Sequence, residues 1–126
     1  MNEAMVDSVQ LLTEAYRGFN AREIDAVLAL MHSDVDWPNG MEGGRVHGHQ
    51  QVRDYWTRQW GMINPRVDPV SFQSGDGNQT TVLVHQVVHD LDGLLLLDQM
   101  VKHVYFIEDG LIRHMEILPA EPEEGA

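Results

Sequence analysis

Three strand patterns joined by two Asp-Gly turns occupy residues 80–118, TTVLVHQVVHDLDGLLLLDQMVKHVYFIEDGLIRHMEIL. β-Branched and aromatic residues are frequent in each pattern, and they favour strands. The turns Asp92-Gly93 and Asp109-Gly110 have the chemistry of tight hairpins, so consecutive strands are expected to pair antiparallel. A further strand pattern, Val67–Phe72, precedes them across a Gly-rich turn. This half of the chain therefore predicts an antiparallel meander.

Helical spacing precedes the strands. Apolar residues recur every three or four positions over Met5–Phe19, over Ile24–Met31 and over Val52–Ile63. Asn20 is expected to cap the second helix. The third helix is expected to run until Pro65, because proline disfavours the helical conformation of the residue before it.

Two short strands, Val35–Trp37 and Arg45–His47, are expected between the second and third helices. Helices followed by a meander predict an α+β fold, in which three N-terminal helices pack on a strongly curved antiparallel sheet. One domain is expected over residues 1–120, with a disordered acidic tail at residues 121–126. A bent sheet covered by helices leaves room for one pocket.

Composition limits the classes of partner. The chain has 126 residues with 20 Asp and Glu against 8 Lys and Arg, which gives a formal net charge of -12 and disfavours nucleic acid. It has no cysteine, so thiolate and disulfide chemistry are excluded. The longest apolar run, Leu94–Leu97, is too short to span a bilayer, and no signal peptide pattern opens the chain. A cytoplasmic protein without a membrane partner is expected.

The order of elements resembles the nuclear transport factor 2-like superfamily, in particular its SnoaL-like domains. The resemblance covers about Val9 to Leu118 and rests on four segments in order: Ala21–Val27, His32–Trp37, Gly44–Gly48 leading into Val52–Trp56, and Ile107–Ile112. It implies a cone-shaped α+β barrel and a pocket for a small hydrophobic or aromatic molecule. It does not fix a reaction, because one fold hosts many functions.

Ketosteroid isomerases of this superfamily suggest roles for three residues. Their general-base Asp corresponds to Asn39, which cannot take a proton from carbon. Their Tyr on the first helix lies close to Tyr16, and their protonated oxyanion Asp corresponds to His103. An imidazole can donate a hydrogen bond there, so the resemblance implies that part of an oxyanion site is kept.

Limonene epoxide hydrolases, in the same superfamily, arrange a Tyr and an Asn around a water activated by an Asp-Arg-Asp relay. Trp37 and Asn39 stand at the positions of that Tyr and Asn. The relay is missing, because one strand offers His85, Val87 and His89, and the last strand offers Met115 and Ile117.

Strand alternation gives the histidine hypothesis. His85, Val87 and His89 share one face of their strand, and Val101, His103 and Tyr105 share one face of the next. Both sets are expected to face the pocket, where an imidazole can move protons at neutral pH. The alternative is that these histidines are half-exposed and satisfied by neighbours or water.

The predicted site follows from these assignments. We expect His103, His85 and Asn39 as catalytic residues, and the pocket lining as Trp37, Met31, Tyr16, Tyr55, Trp56, Trp60, Val87, His89, Tyr105, Met115 and Ile117. No metal and no cofactor are expected. The leading hypothesis is a cofactor-free isomerase, cyclase or hydrolase with histidine acid/base chemistry. The alternative is a non-catalytic ligand-binding or dimerisation domain, and a homodimer through the outer sheet face, with His114 and Glu116, is expected.

Overall fold

A computed structural model of the protein describes residues 3–120, with side chains from Asp7 onward. Three helices and six strands follow in the order α1 (Glu3–Asn20), α2 (Ile24–Leu28), β1 (Met31–Pro38), β2 (Arg45–His47), α3 (Gly48–Trp60), β3 (Ile63–Ser74), β4 (Gln79–Asp90), β5 (Leu95–Glu108) and β6 (Leu111–Pro119). The predicted α+β class, with its helices before the meander, is confirmed. The acidic tail predicted to be disordered, residues 121–126, lies outside the described residues.

One open six-stranded sheet has the strand order β2-β1-β6-β5-β4-β3. Strands β3 to β6 form the predicted antiparallel hairpins. Strand β1 returns alongside β6 in parallel, and β2 pairs antiparallel with β1. The two halves of the chain therefore meet between β1 and β6, which places Trp37 of β1 near the inner side chains of the meander.

Helices α1 and α3 cover the inner face of the sheet. The buried side chains Leu12, Tyr16, Val52 and Trp56 lie at helical spacing, and they pack against inward residues of the strands. Gly18 allows α1 to approach α2 closely, because a Cβ at that position would lie 2.6 Å from Cγ2 of Val27. The layers leave a cavity between α1, α3 and the sheet.

Asn20 does not cap α2, contrary to the sequence prediction. The residue before α2 is Glu23, and it forms no side-chain cap. The Asn20 amide instead donates to the Val67 carbonyl at 2.7 Å and accepts from the Val67 N–H at 2.9 Å. These two hydrogen bonds connect the end of α1 to β3. The side-chain amide takes the place of the strand partner that an edge strand lacks on its outer side.

Two predicted boundaries also move. Helix α3 ends at Trp60, and β3 already begins at Ile63, so Pro65 lies within a strand and does not end the helix. Strand β3 is at the sheet edge, where a residue without an N–H is tolerated. Met31 belongs to β1 and not to the second helix.

Candidate functional site

A cavity of about 450 Å³ lies between the inner face of the sheet and helices α1 and α3. This main cavity has the size of a pocket for a small organic ligand. Its walls are largely aromatic and aliphatic. They include these residues of the predicted site: Tyr16, Met31, Trp37, Tyr55, Trp56, His103, Tyr105, Met115 and Ile117.

A chain of hydrogen bonds crosses the buried end of the main cavity. The Tyr105 hydroxyl donates to the Tyr16 oxygen at 2.8 Å, and Tyr16 Oη lies 2.7 Å from Nδ1 of His103. With Tyr105 as the donor to Tyr16, the single Tyr16 proton is assigned to the hydrogen bond with Nδ1. The neutral imidazole then carries its own proton on Nε2. Nε2 has no hydrogen-bond partner among residues 7–120, and His103 lines the cavity.

Burial keeps these groups uncharged. Desolvation lowers the pKa of His103 from its ordinary value of 6.5 to about 4, so the imidazole is neutral at pH 7. Desolvation also raises the pKa of Tyr105. The pKa of Tyr16 is raised by desolvation and, to a smaller extent, by its neighbour Tyr105. His103 can therefore donate a hydrogen bond at neutral pH, but it is not an imidazolium acid there.

Register and alternation bring the three groups together. On β5, His103 and Tyr105 point inward, opposite Ile117 and Met115 of β6. Tyr16 is on the buried face of α1, and its ring lies parallel to the His103 ring, with centroids 5.8 Å apart. Trp37 faces the same cavity, whereas its neighbour Asp36 points away and pairs with Arg45.

His85, Val87 and His89 are on the opposite face of the sheet, which corrects the predicted lining. Directly paired residues share a face, and His103 pairs with Val82, whereas His85 pairs with Met100. The inward set on β4 is therefore Val82, Val84, Gln86 and Val88. His85 is half-exposed and lies 2.7 Å from Asp98.

Asn39 is also outside the main cavity, which corrects its expected catalytic position. Its amide donates to Glu42 at 2.9 Å, and its oxygen accepts from the Glu42 N–H at 2.7 Å. Arg58 of α3 pairs with Glu42 at 2.9 Å, and the hydrogen bond from Arg58 lowers the pKa of Glu42 to about 2. Asn39 organises the loop that joins β1 to β2, as asparagine commonly does in turns.

Trp60 lies behind the cavity wall and is not among the lining residues. Its ring stacks on Trp56 with centroids 5.8 Å apart, and the Arg22 guanidinium lies 5.0 Å from the Trp60 centroid. Trp60 therefore supports the wall that Trp56 presents to the cavity.

Three glutamines in the lining, Gln59, Gln86 and Gln99, were missed by the sequence reasoning. Gln86 and Gln99 are Cα partners across β4 and β5, and Gln99 Nε2 donates to Gln86 Oε1 at 3.0 Å. The same alternation that points His103 inward places Gln99 inward, because the two positions are four residues apart. The inward position of Gln99 could therefore have been predicted from the sequence. The inward position of Gln86 could not, because it depends on the register between β4 and β5.

Outside the cavity, His32, Glu108 and Asp109 have potential ligand atoms within 4.8 Å of one another. Both carboxylates are exposed, and Glu108 lies 3.3 Å from Arg113. Such a surface group is common without a metal, and it lies apart from the lining of the cavity. None of the helices among residues 3–120 is long and apolar enough to cross a membrane.

The SnoaL-like domain family matches residues 12–115, which is most of the chain. The chain belongs to this family. No curated protein matches this SnoaL-like chain.

Solved structures share the fold of this SnoaL-like domain. An NTF2-like protein of unknown function from Burkholderia pseudomallei is 28% identical, with a TM-score of 0.79 over 90% of this chain and 91% of its own. TerC, co-crystallised with polyporic acid, is 26% identical, with a TM-score of 0.79 over 90% of this chain and 92% of its own. A Mycobacterium tuberculosis protein in complex with estradiol-17β-hemisuccinate is 16% identical, with a TM-score of 0.75 over 86% of this chain and 90% of its own. At 16% identity the likeness shows the fold alone.

Proposed function

We propose that this SnoaL-like domain binds a small, uncharged ring compound whose carbonyl oxygen accepts a hydrogen bond from Nε2 of His103. The observation that carries the proposal is the Tyr105–Tyr16–His103 chain at the buried end of an apolar cavity. Tyr16 occupies Nδ1, so the imidazole is oriented with its remaining donor available to a ligand. A hydrogen bond made in a desolvated site contributes more than one made in water.

The chemistry of the walls favours an uncharged ligand. Among the described residues, the lining contains no Asp, Glu, Lys or Arg. A charged group brought into such a site would lose its hydration without gaining an ionic partner. Aromatic side chains such as Trp37, Trp56 and Tyr105 instead suit a flat, apolar ring system.

Ligands of the related structures support a compound built on rings, whereas the uncharged state rests on the lining of this cavity alone. TerC was co-crystallised with polyporic acid, and the Mycobacterium tuberculosis protein binds estradiol-17β-hemisuccinate. Both ligands are ring compounds with oxygen substituents, and both carry an acidic group. The cavity of this chain is large enough for a compound of that size.

Ligand binding accounts for the site better than the histidine acid/base hypothesis. Abstraction of a proton from carbon needs a base, and His85 is on the outer face of the sheet. His103, with its pKa lowered to about 4 and its Nδ1 accepting from Tyr16, is a weak base. A neutral imidazole in a desolvated site can still polarise a carbonyl, so carbonyl activation is the second candidate function.

The outer sheet face is our proposed surface for a homodimer. His114 and Glu116 lie there, 3.0 Å apart, and the His114 ring packs edge-on against Phe106. Size-exclusion chromatography with light scattering is expected to give the mass of a dimer, and a monomer across the concentration range would refute this proposal.

A titration with androst-4-en-3-one tests the binding proposal, because this rigid ring ketone has one oxygen. Trp37 and Trp56 line the cavity, so binding is expected to change tryptophan fluorescence. His103→Phe removes the donor and should raise Kd about tenfold or more. His103→Gln supplies both an N–H for the ketone and a carbonyl for Tyr16, and it should recover part of the loss.

His85→Phe is the matched control, because it makes the same change on the outer face. Circular dichroism checks that all three variants fold. Equal Kd values for the wild type and a folded His103→Phe variant would refute the proposed role of His103.

A further inference from the structure

Gln86 and Gln99 form a polar pair in an otherwise apolar part of the main cavity. They are Cα partners on β4 and β5, and their side chains join through one hydrogen bond of 3.0 Å. Both line the cavity, beside Val88, Leu97 and Val101. The pair lies toward the open side, because Gln86 is half-buried and Gln99 is exposed, whereas His103 is buried.

The pair has unused hydrogen-bonding capacity. Each amide has a carbonyl that can accept twice and an NH2 group that can donate twice. Their mutual bond, the only one that either side chain makes with described residues, leaves the carbonyl of one glutamine and the NH2 of the other available. Exchanging O and N in both amides swaps the roles of the two residues, but one carbonyl and one NH2 group stay available in either orientation.

The glutamine pair and His103 lie at opposite ends of one wall. Gln99, Val101 and His103 are alternate residues on the inward face of β5, which places the Cα atoms of Gln99 and His103 about 13 Å apart. Val101 lies between them and is buried. The wall therefore offers a donor at its inner end, an apolar middle, and a donor with an acceptor at its outer end.

We propose that Gln86 and Gln99 form a second ligand subsite, which selects an elongated, rigid ring compound with a hydroxyl at the end remote from His103. This inference rests on the proposed function, because His103 holds the inner oxygen. A hydroxyl fits the outer end because it can accept from the free NH2 and donate to the free carbonyl at once. A carboxylate fits less well, since it only accepts and the chain has a formal net charge of -12.

The test compares testosterone with androst-4-en-3-one. The two steroids have the same ketone, and only testosterone has a hydroxyl at the other end. For the wild type, we expect testosterone to bind about five- to tenfold more tightly, the range for one or two neutral hydrogen bonds. The variant Gln86→Leu/Gln99→Leu should lose this preference while it keeps its affinity for androst-4-en-3-one. Gln73→Leu, on the exposed part of β3, is the matched control and should keep the preference.

Three outcomes would overturn the inference. If the wild type binds both steroids equally, and binding still depends on His103, the subsite is wrong and the proposed function stands. If the folded double variant loses affinity for both steroids by the same factor, the pair only supports the sheet. If neither steroid binds to the wild type, the proposed function fails together with the subsite.

Discussion

Replacing His103 by Phe should flatten the dependence of stability on pH between pH 7.5 and 4.5. The pKa of His103 is about 4 in the folded protein and 6.5 in an exposed histidine. Between these values the unfolded chain takes up a proton that the folded protein does not, so acid favours unfolding. The stability of the wild type is unaffected by this group above pH 6.5, and it falls as the pH drops toward 4.

The size of the effect follows from the shift. Each pH unit between the two pKa values costs about 1.4 kcal/mol of unfolding free energy, so the loss from pH 7.5 to 4.5 is about 2–3 kcal/mol. Carboxylates such as Glu42, whose pKa is lowered to about 2, lose their contribution at lower pH, below about 4.5. The window above pH 4.5 therefore reports mainly on His103.

Urea denaturation followed by tryptophan fluorescence measures this loss at pH 7.5, 6.0 and 4.5. His103→Phe is expected to be less stable than the wild type at pH 7.5, because Tyr16 loses its acceptor, but to lose about 2–3 kcal/mol less on acidification. His85→Phe leaves His103 in place and should follow the wild type. Parallel curves for the wild type and His103→Phe would refute the assignment of a buried, neutral His103.

Four further substitutions test the packing around the site by urea denaturation. Tyr16→Phe should lower the free energy of unfolding by about 2–4 kcal/mol, since it leaves both Tyr105 and His103 without a partner. Tyr105→Phe should lower it less, and equal losses would contradict the central place of Tyr16 in the hydrogen-bond chain. Asn20→Ala should cost about 1–3 kcal/mol through its two bonds to Val67, and an unchanged midpoint would contradict this. Gly18→Ala should cost about 1–3 kcal/mol because its Cβ meets Val27, and should become neutral in a Val27→Ala background; the same cost in both backgrounds would contradict the clash.

Local patterns were sufficient to predict most of the elements. Helix α1 and strands β4 to β6 followed from spacing and turn chemistry. Pro65 misled the prediction because a proline ends a helix and is also tolerated on an edge strand, and only the strand order shows that β3 is at the edge.

The inward face of β4 could not be predicted from alternation. Both faces of this strand have apolar side chains, Val82 and Val84 on one and Leu83 and Val87 on the other, so the pattern suits either direction. The register with β5 decides it, and it turns His85 outward and Gln86 inward. A shift of one residue exchanges the two faces.

The contact between Tyr16 and His103 joins residues 87 positions apart, across the layer between α1 and β5. No local sequence pattern predicts a contact between residues so far apart in the chain. The resemblance placed each residue near the pocket, but the direction of the hydrogen bonds and the neutral state of His103 depend on burial and on Tyr105. The chemistry of the site therefore emerges from tertiary packing.

A crystal structure of the complex with androst-4-en-3-one tests the central claim most directly. The ketone oxygen is expected about 2.7–3.2 Å from Nε2 of His103, with Tyr16 still bound to Nδ1. A bound steroid whose oxygen points elsewhere, with Nε2 in contact only with carbon atoms, would contradict the account.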